Sequence, residues 1–221
     1  MKGKEILEEL RLVFKGKTLD TLLPPLVFVF INRMYDLSTA LVVALILGGL
    51  IFLMRVLRKE SLWYALGGFF GVILASSFAF IASNANSYFL PGIIANGLIV
   101  LGSIISLLIG KPFAALLSHL TRNWPVEWFK REDVAPAYKE VTIFWALFFF
   151  VRVVVETYLF LTSTPEALAW AEIFLGIPVT IALLVITYMY GIWRLNRLNG
   201  PGVDEFIEGK EPPYKGQTRG F

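Results

Sequence analysis

Apolar positions run almost unbroken through most of the chain, and polar residues interrupt them at a few points. A helix that crosses a membrane needs about 20 consecutive, mostly apolar residues. Stretches of that kind predict six spans, at about 19–34, 38–57, 62–82, 88–109, 140–162 and 166–192. The first is short and carries Pro24-Pro25 near its start, so a re-entrant segment is the alternative there.

The pattern changes outside these stretches. Ile6, Leu7, Leu10, Val13 and Phe14 recur at helical spacing among Glu5, Glu8 and Glu9. That predicts an amphipathic surface helix over 1–18 rather than a secretory signal, whose apolar core the glutamates would break. A second amphipathic stretch covers 111–124. Pro112 suits a first helical turn, and Phe113, Leu116, Leu117, Leu120 and Trp124 form one stripe. With Trp128 and Phe129 it predicts a helix lying in the cytoplasmic interface. His119 falls beside the stripe, with no special role expected. Gly200-Pro201-Gly202 and Pro212-Pro213 predict a flexible cytoplasmic tail over 194–221. The expected fold is all-α: a polytopic membrane protein with a six-span domain over 19–193 and both termini in the cytoplasm.

Composition sharpens this reading. The chain is 57% hydrophobic and 17% charged, with a mean hydropathy of +0.68. A soluble domain is roughly half apolar and about a quarter charged. A soluble enzyme and a nucleic-acid-binding module are therefore excluded. Charge placement sets the orientation. On the six-span reading, eighteen of the twenty Lys and Arg residues fall on one side; Arg33 is alone on the other and Arg152 lies inside a span. Positive charge stays on the cytoplasmic side.

The chain has no cysteine and one histidine. Thiolate chemistry, iron–sulfur clusters and a multi-histidine metal centre are excluded, and no metal or cofactor is expected. No glycine loop resembles a nucleotide cradle and no histidine pair resembles a zinc protease. The expectation is a protein that is not an enzyme.

Polar residues inside the spans are the candidate site. Arg152 lies near the middle of its span, with Glu156 one turn on; Glu172 and Asn96 fall at similar depth by residue count. These four form an expected polar cluster in the outer half of the bilayer. Two readings stay open. In one, the acids neutralise Arg152 and fix helix register. In the other, the cluster lines a water-filled cavity where Arg152 binds an anionic head group or solute. Small residues mark expected helix-packing faces: Gly67, Gly71 and Ala75 in one span, Gly102 and Ser106 in the next. A homo-oligomer through the first face would follow from that. Pro24-Pro25, Pro91 and Pro178 are expected to interrupt their spans.

Several segments resemble a known family. They are Leu23-Pro24-Pro25-Leu26-Val27-Phe28-Val29-Phe30 with Arg33-Met34-Tyr35-Asp36, Tyr88-Phe89-Leu90-Pro91-Gly92-Ile93, the Gly110-Lys111-Pro112 turn, and Ile143-Phe144-Trp145-Ala146-Leu147-Phe148-Phe149. The sequence resembles the bacterial membrane family catalogued as domain of unknown function 3159 and, more distantly, the inner-membrane septation protein A family, from about Asp20 to Trp193. The resemblance implies a protein of the bacterial cytoplasmic membrane. The more distant one implies a role in envelope biogenesis or membrane homeostasis, with membrane lipids and division or wall-synthesis proteins as partners. It carries over no catalytic residues.

Overall fold

The computed structural model describes residues 19–217 and 220–221; the surface helix expected over 1–18 lies outside them. The elements are α1 (Leu19–Met34), α2 (Leu37–Leu57), α3 (Leu62–Ala82), a 3-10 turn (Ala85–Phe89), α4 (Leu90–Leu108), α5 (Phe113–Arg122), α6 (Val126–Phe129), α7 (Ala135–Thr162), α8 (Pro165–Leu175), α9 (Ile177–Arg197) and α10 (Val203–Ile207). Among the described residues, five stretches are long and apolar enough to cross a membrane: α2, α3, the turn with α4, α7, and α8 with α9. The described part of α1 has 16 residues, fewer than the 18 such a stretch needs.

The apolar side chains face outward. Trp63 is 85% exposed and Leu57 83%. In the α7 stretch only 6% of the apolar window is buried. Water would not tolerate that much contiguous apolar surface, whereas lipid solvates it. The backbone is helical for the same reason, since each helix satisfies its own N–H and C=O groups.

By contacts the chain divides into two units. The first takes in the described residues up to Ala95 together with Val153–Val179; the second is Asn96–Arg152 with Thr180–Phe221.

The first unit is organised by the pairing of α2 with α3. Asp36 caps α2: its Oδ1 accepts the Thr39 N–H at 2.7 Å, and this bond holds the carboxyl below its usual value. One face of α2 reads Ala40, Ala44, Gly48, Ile51, Arg55, all buried. It meets Ala75 and Ala79 of α3. A Cβ added at Gly48 would stand 3.2 Å from Val72 Cγ1, so the missing side chain is what permits this approach. The 3-10 turn closes the core, with Tyr88 stacked on Phe28 at 4.1 Å. Asn86 Nδ2 donates to the carbonyls of Phe160 and Ser163 at 3.1 and 3.0 Å, tying this turn to the end of α7.

The prolines act differently from one another. Pro24 and Pro25 lie inside a continuous α1. Pro91 is the second residue of α4, where its missing N–H costs nothing. The expected sixth span breaks at Gly176 between α8 and α9. Pro178 cannot donate to Phe174 one turn earlier, so the α8 ladder ends there.

The second unit corrects two expectations. Trp128 and Phe129 do not present an exposed aromatic face; both are buried in an aromatic core with Tyr138, Leu195 and Val203. Trp128 Nε1 donates to the Pro201 carbonyl at 3.0 Å, and Phe129 meets Tyr138 edge-on at 4.9 Å. In α5 the small residues Ala115 and Ser118 turn inward while Leu116, Leu117 and Leu120 are exposed, as lipid-facing leucines would be. His119 Nδ1 donates to the Trp124 carbonyl at 2.7 Å and locks the end of α5, where Asn123 is left-handed at φ 56.

The second correction concerns the tail, expected to be flexible and here folded. The Glu205 carboxylate accepts the backbone N–H groups of Gly202, Lys215 and Gly216 at 3.0, 2.9 and 3.1 Å. Phe221 stacks on Tyr138 at 4.3 Å. One acid organising backbone donors leaves no hydrophobic periodicity, so sequence pattern does not reveal it.

Two predictions follow from this packing. Gly48→Leu should cost about 1–3 kcal/mol through overpacking, while Gly71→Ala should stabilise by about 0.4–1 kcal/mol; unfolding titrations in mixed detergent micelles would measure both. The Glu205 carboxyl is held below its ordinary value of 4.5 by the three N–H donors. Its contribution to tail docking is therefore full above pH 4.5 and lost as pH falls through the lowered value. Amide exchange across 202–217, corrected for intrinsic rates, should show protection lost on acidification, and Glu205→Gln should weaken it at neutral pH.

Candidate functional site

The first unit encloses a cavity of about 390 Å³. Its walls come from α1, α2, α3, the 3-10 turn with the start of α4, and α8. Most of the lining is apolar or glycine. Gly67 and Gly71 leave that side of α3 bare: nothing among the described residues lies within 4 Å of where a Cβ would stand at either. Along α3 the lining runs from Ala65 to Ala75, roughly 15 Å at the helical rise.

Three charged residues line this chamber: Arg55, Asp20 and Glu172. Arg55 is 2% exposed. Its place in the last turn of α2 sets the cation against the negative end of the helix. The guanidinium lies 4.6 Å from the centre of the Tyr64 ring. A Cβ at Gly68 would be 2.6 Å from Arg55 Nη1, so this glycine makes room for the cation. Asp20 approaches a second cation, Arg58, at 3.9 Å. The chamber therefore offers a cation and two carboxylates within a mostly apolar wall. That suits binding of a small charged group.

The four residues of the expected cluster are placed as follows. Glu172 is in the cavity wall. Glu156 is buried on α7, one turn beyond the half-buried Arg152, and Asn96 is buried on α4. Glu156 and Glu172 belong to the first unit, Asn96 and Arg152 to the second. The cavity thus takes one of the four and adds Arg55 and Asp20. Sequence reading counted Arg55 among the eighteen cations on the cytoplasmic side and singled out neither Arg55 nor Asp20 as a site residue. A signal was present: Arg55 continues the Ala40, Ala44, Gly48, Ile51 face at helical spacing.

The packing residues also divide. Ala75 is in the core. Nothing among the described residues lies within 4 Å of where a Cβ would stand at Gly67, Gly71 or Gly102, whereas Ala79, further along the same row of α3, is in the core with Ala75. Ser106 is a turn device: its Oγ donates to the Ser103 carbonyl at 2.7 Å and accepts the Phe113 N–H at 3.0 Å, joining α4 to α5.

The second unit holds an ion pair that sequence reading missed. Arg194 Nε and Nη2 donate to the Glu140 carboxylate at 2.8 and 2.9 Å, and the Tyr190 hydroxyl donates to it at 2.7 Å. Glu140 and Arg194 stand on different helices, so their separation of 54 residues hid the pair. Arg194→Met should lower stability, and adding Glu140→Met should recover part of the loss, because it removes the carboxylate left without its cation. A double-mutant cycle on detergent unfolding would measure the coupling.

No curated protein and no solved structure matches this chain. The profile of the family described as "Protein of unknown function (DUF3159)" matches residues 16–196, which takes in every helix bordering the first cavity. With that span matched, the chain belongs to the DUF3159 family.

Proposed function

We propose that this protein is an integral protein of the bacterial cytoplasmic membrane that binds a small anionic or zwitterionic group in the cavity of its first unit. The group belongs to a lipid head or to a free solute. The observation that carries the reading is the buried Arg55 in the wall of a chamber whose α3 side is bare glycine. In this reading the Arg55 guanidinium engages the anionic part, with Asp20 or Glu172 available to a positive part. Ionisable residues placed within spanning segments are costly and mark such sites.

In the same reading the protein is not an enzyme and serves lipid or solute handling in support of envelope or membrane homeostasis. The distant resemblance to the septation protein A family supports this, as it supports division or wall-synthesis partners. Six passes, α1 among them, keep both termini in the cytoplasm. The concentration of eighteen Lys and Arg residues on one side favours that count over five.

The test uses a cavity-filling variant that the backbone tolerates. Gly71→Leu projects into open space, so the protein should fold as before. Short-chain phosphatidylglycerol or phosphatidylcholine should raise the melting temperature of the wild type by more than an uncharged short-chain diacylglycerol or inorganic phosphate does. In Gly71→Leu that extra shift should vanish. An equal shift in both proteins would remove the cavity from the reading. A shift with phosphate alone would identify a free solute, and loss of a dimer in Gly71→Leu would favour a packing role for this face.

A further inference from the structure

The second unit contains its own cavity, of about 480 Å³, within the size range of small-molecule sites. Its walls come from α4, α5, α7 and α9, with Phe221 from the tail. The lining is mainly apolar, and five of its side chains are aromatic: Phe113, Trp145, Phe149, Tyr188 and Phe221. Leu117 and Leu184 also line it and are exposed, which gives the cavity an apolar rim.

Most polar groups of the lining are engaged within the wall. The hydroxyls of Thr121, Thr142 and Thr187 each donate to the carbonyl one turn back. Thr142 also accepts the Ala114 N–H at 3.1 Å, and Thr187 accepts the Trp145 Nε1–H at 3.3 Å. The Tyr188 hydroxyl accepts the Gly220 N–H at 3.1 Å. The Arg122 guanidinium faces the Trp124 ring at 5.2 Å. Ser103 is different. It lines the cavity and is 1% exposed, and its Oγ has no hydrogen-bond partner among the described residues. A buried hydroxyl without a partner is costly, so native interiors rarely keep one.

We infer that this cavity binds an uncharged, ring-bearing carbonyl compound from the lipid phase, the chemistry of a membrane quinone, with a carbonyl oxygen accepting the Ser103 hydroxyl and the flat ring among Trp145, Phe149 and Phe221. Aromatic walls favour a flat ring, which meets theirs in offset or edge-on contact. The apolar rim at Leu117 and Leu184 admits a guest from lipid. A water at Ser103 would need two to four polar partners, whereas a carbonyl on an apolar frame needs the one hydroxyl. Because Arg122 faces Trp124, the polar contact of the ligand is assigned to Ser103. The rings then supply most of the affinity, and Ser103 selects for the carbonyl. This inference does not rest on the reading of the first unit.

The experiment measures uptake of labelled decylbenzoquinone by phosphatidylcholine nanodiscs carrying the full chain, after subtracting uptake by empty nanodiscs. Decylbenzene, the same frame without carbonyls, serves as the competitor. The wild type should show one saturable quinone site per chain, for which decylbenzene competes more weakly. Ser103→Ala removes a hydroxyl that has no partner, so the protein should fold as before. That variant should bind the quinone about threefold to tenfold more weakly, the loss of one neutral hydrogen bond, and decylbenzene as before. Leu184→Trp, which fills the mouth of the chamber, should abolish the saturable component; if it fails to fold, the Ser103→Ala comparison decides. Absence of a saturable component in the wild type would overturn the inference. So would unchanged quinone binding in Ser103→Ala, or equal weakening of both compounds, which a merely structural change would give. Undiminished binding in a folded Leu184→Trp would overturn it as well, by placing the quinone elsewhere.

Discussion

The close approach of α2 and α3 at Gly48 is the constraint on which the first unit depends. In lipid there is no hydrophobic drive to bring helices together, because the tails are as apolar as the side chains. Association then rests on van der Waals contact, which needs backbones near one another. Ala40, Ala44 and Gly48 supply that, with Val72 standing against the glycine. Once this seam is set, helical spacing carries Arg55 to its lower end and turns it inward. The cation is buried because it shares a face with the packing residues, not because a separate element folds over it. Gly68 completes the accommodation by leaving room for the guanidinium.

The glycines of α3 show how one residue type does two jobs on one helix. Gly68 meets the Arg55 side chain, whereas Gly67 and Gly71 border open space. Small residues every four positions are a packing signal in membranes, and on this helix the row Gly67, Gly71, Ala75, Ala79 is buried at its alanines and borders open space at its glycines. Sequence spacing alone cannot separate a face that touches a helix from a face that borders a cavity. Both call for a short side chain.

The two chambers differ in their charged lining. Arg55, Asp20 and Glu172 line the first, and Arg122 is the charged side chain among the described lining residues of the second. The second unit also builds its order differently. Its aromatic core of Trp128, Phe129 and Tyr138 is closed by Phe221, and the tail is held by one carboxylate, Glu205, collecting three backbone N–H groups.

Much of the fold was legible from the amino acids alone. Long apolar runs determine helices in lipid, because no other arrangement satisfies the backbone locally. The boundaries of α2 and α3 follow from local signals, such as Asp36 capping α2 and the polar turn before Leu62. The break near Pro178 follows from a missing N–H. The α5 helix was legible from its stripe, as was membership in a membrane family. What the chain could not reveal by itself depends on pairs distant in sequence. Arg55 beside Gly68 and Tyr64, Glu140 with Arg194, Trp128 with Pro201, and Phe221 on Tyr138 have no local signature. Local chemistry determines which segments become helices; only tertiary packing decides which face of each helix meets a neighbour, a cavity or lipid, because in this composition every face is apolar.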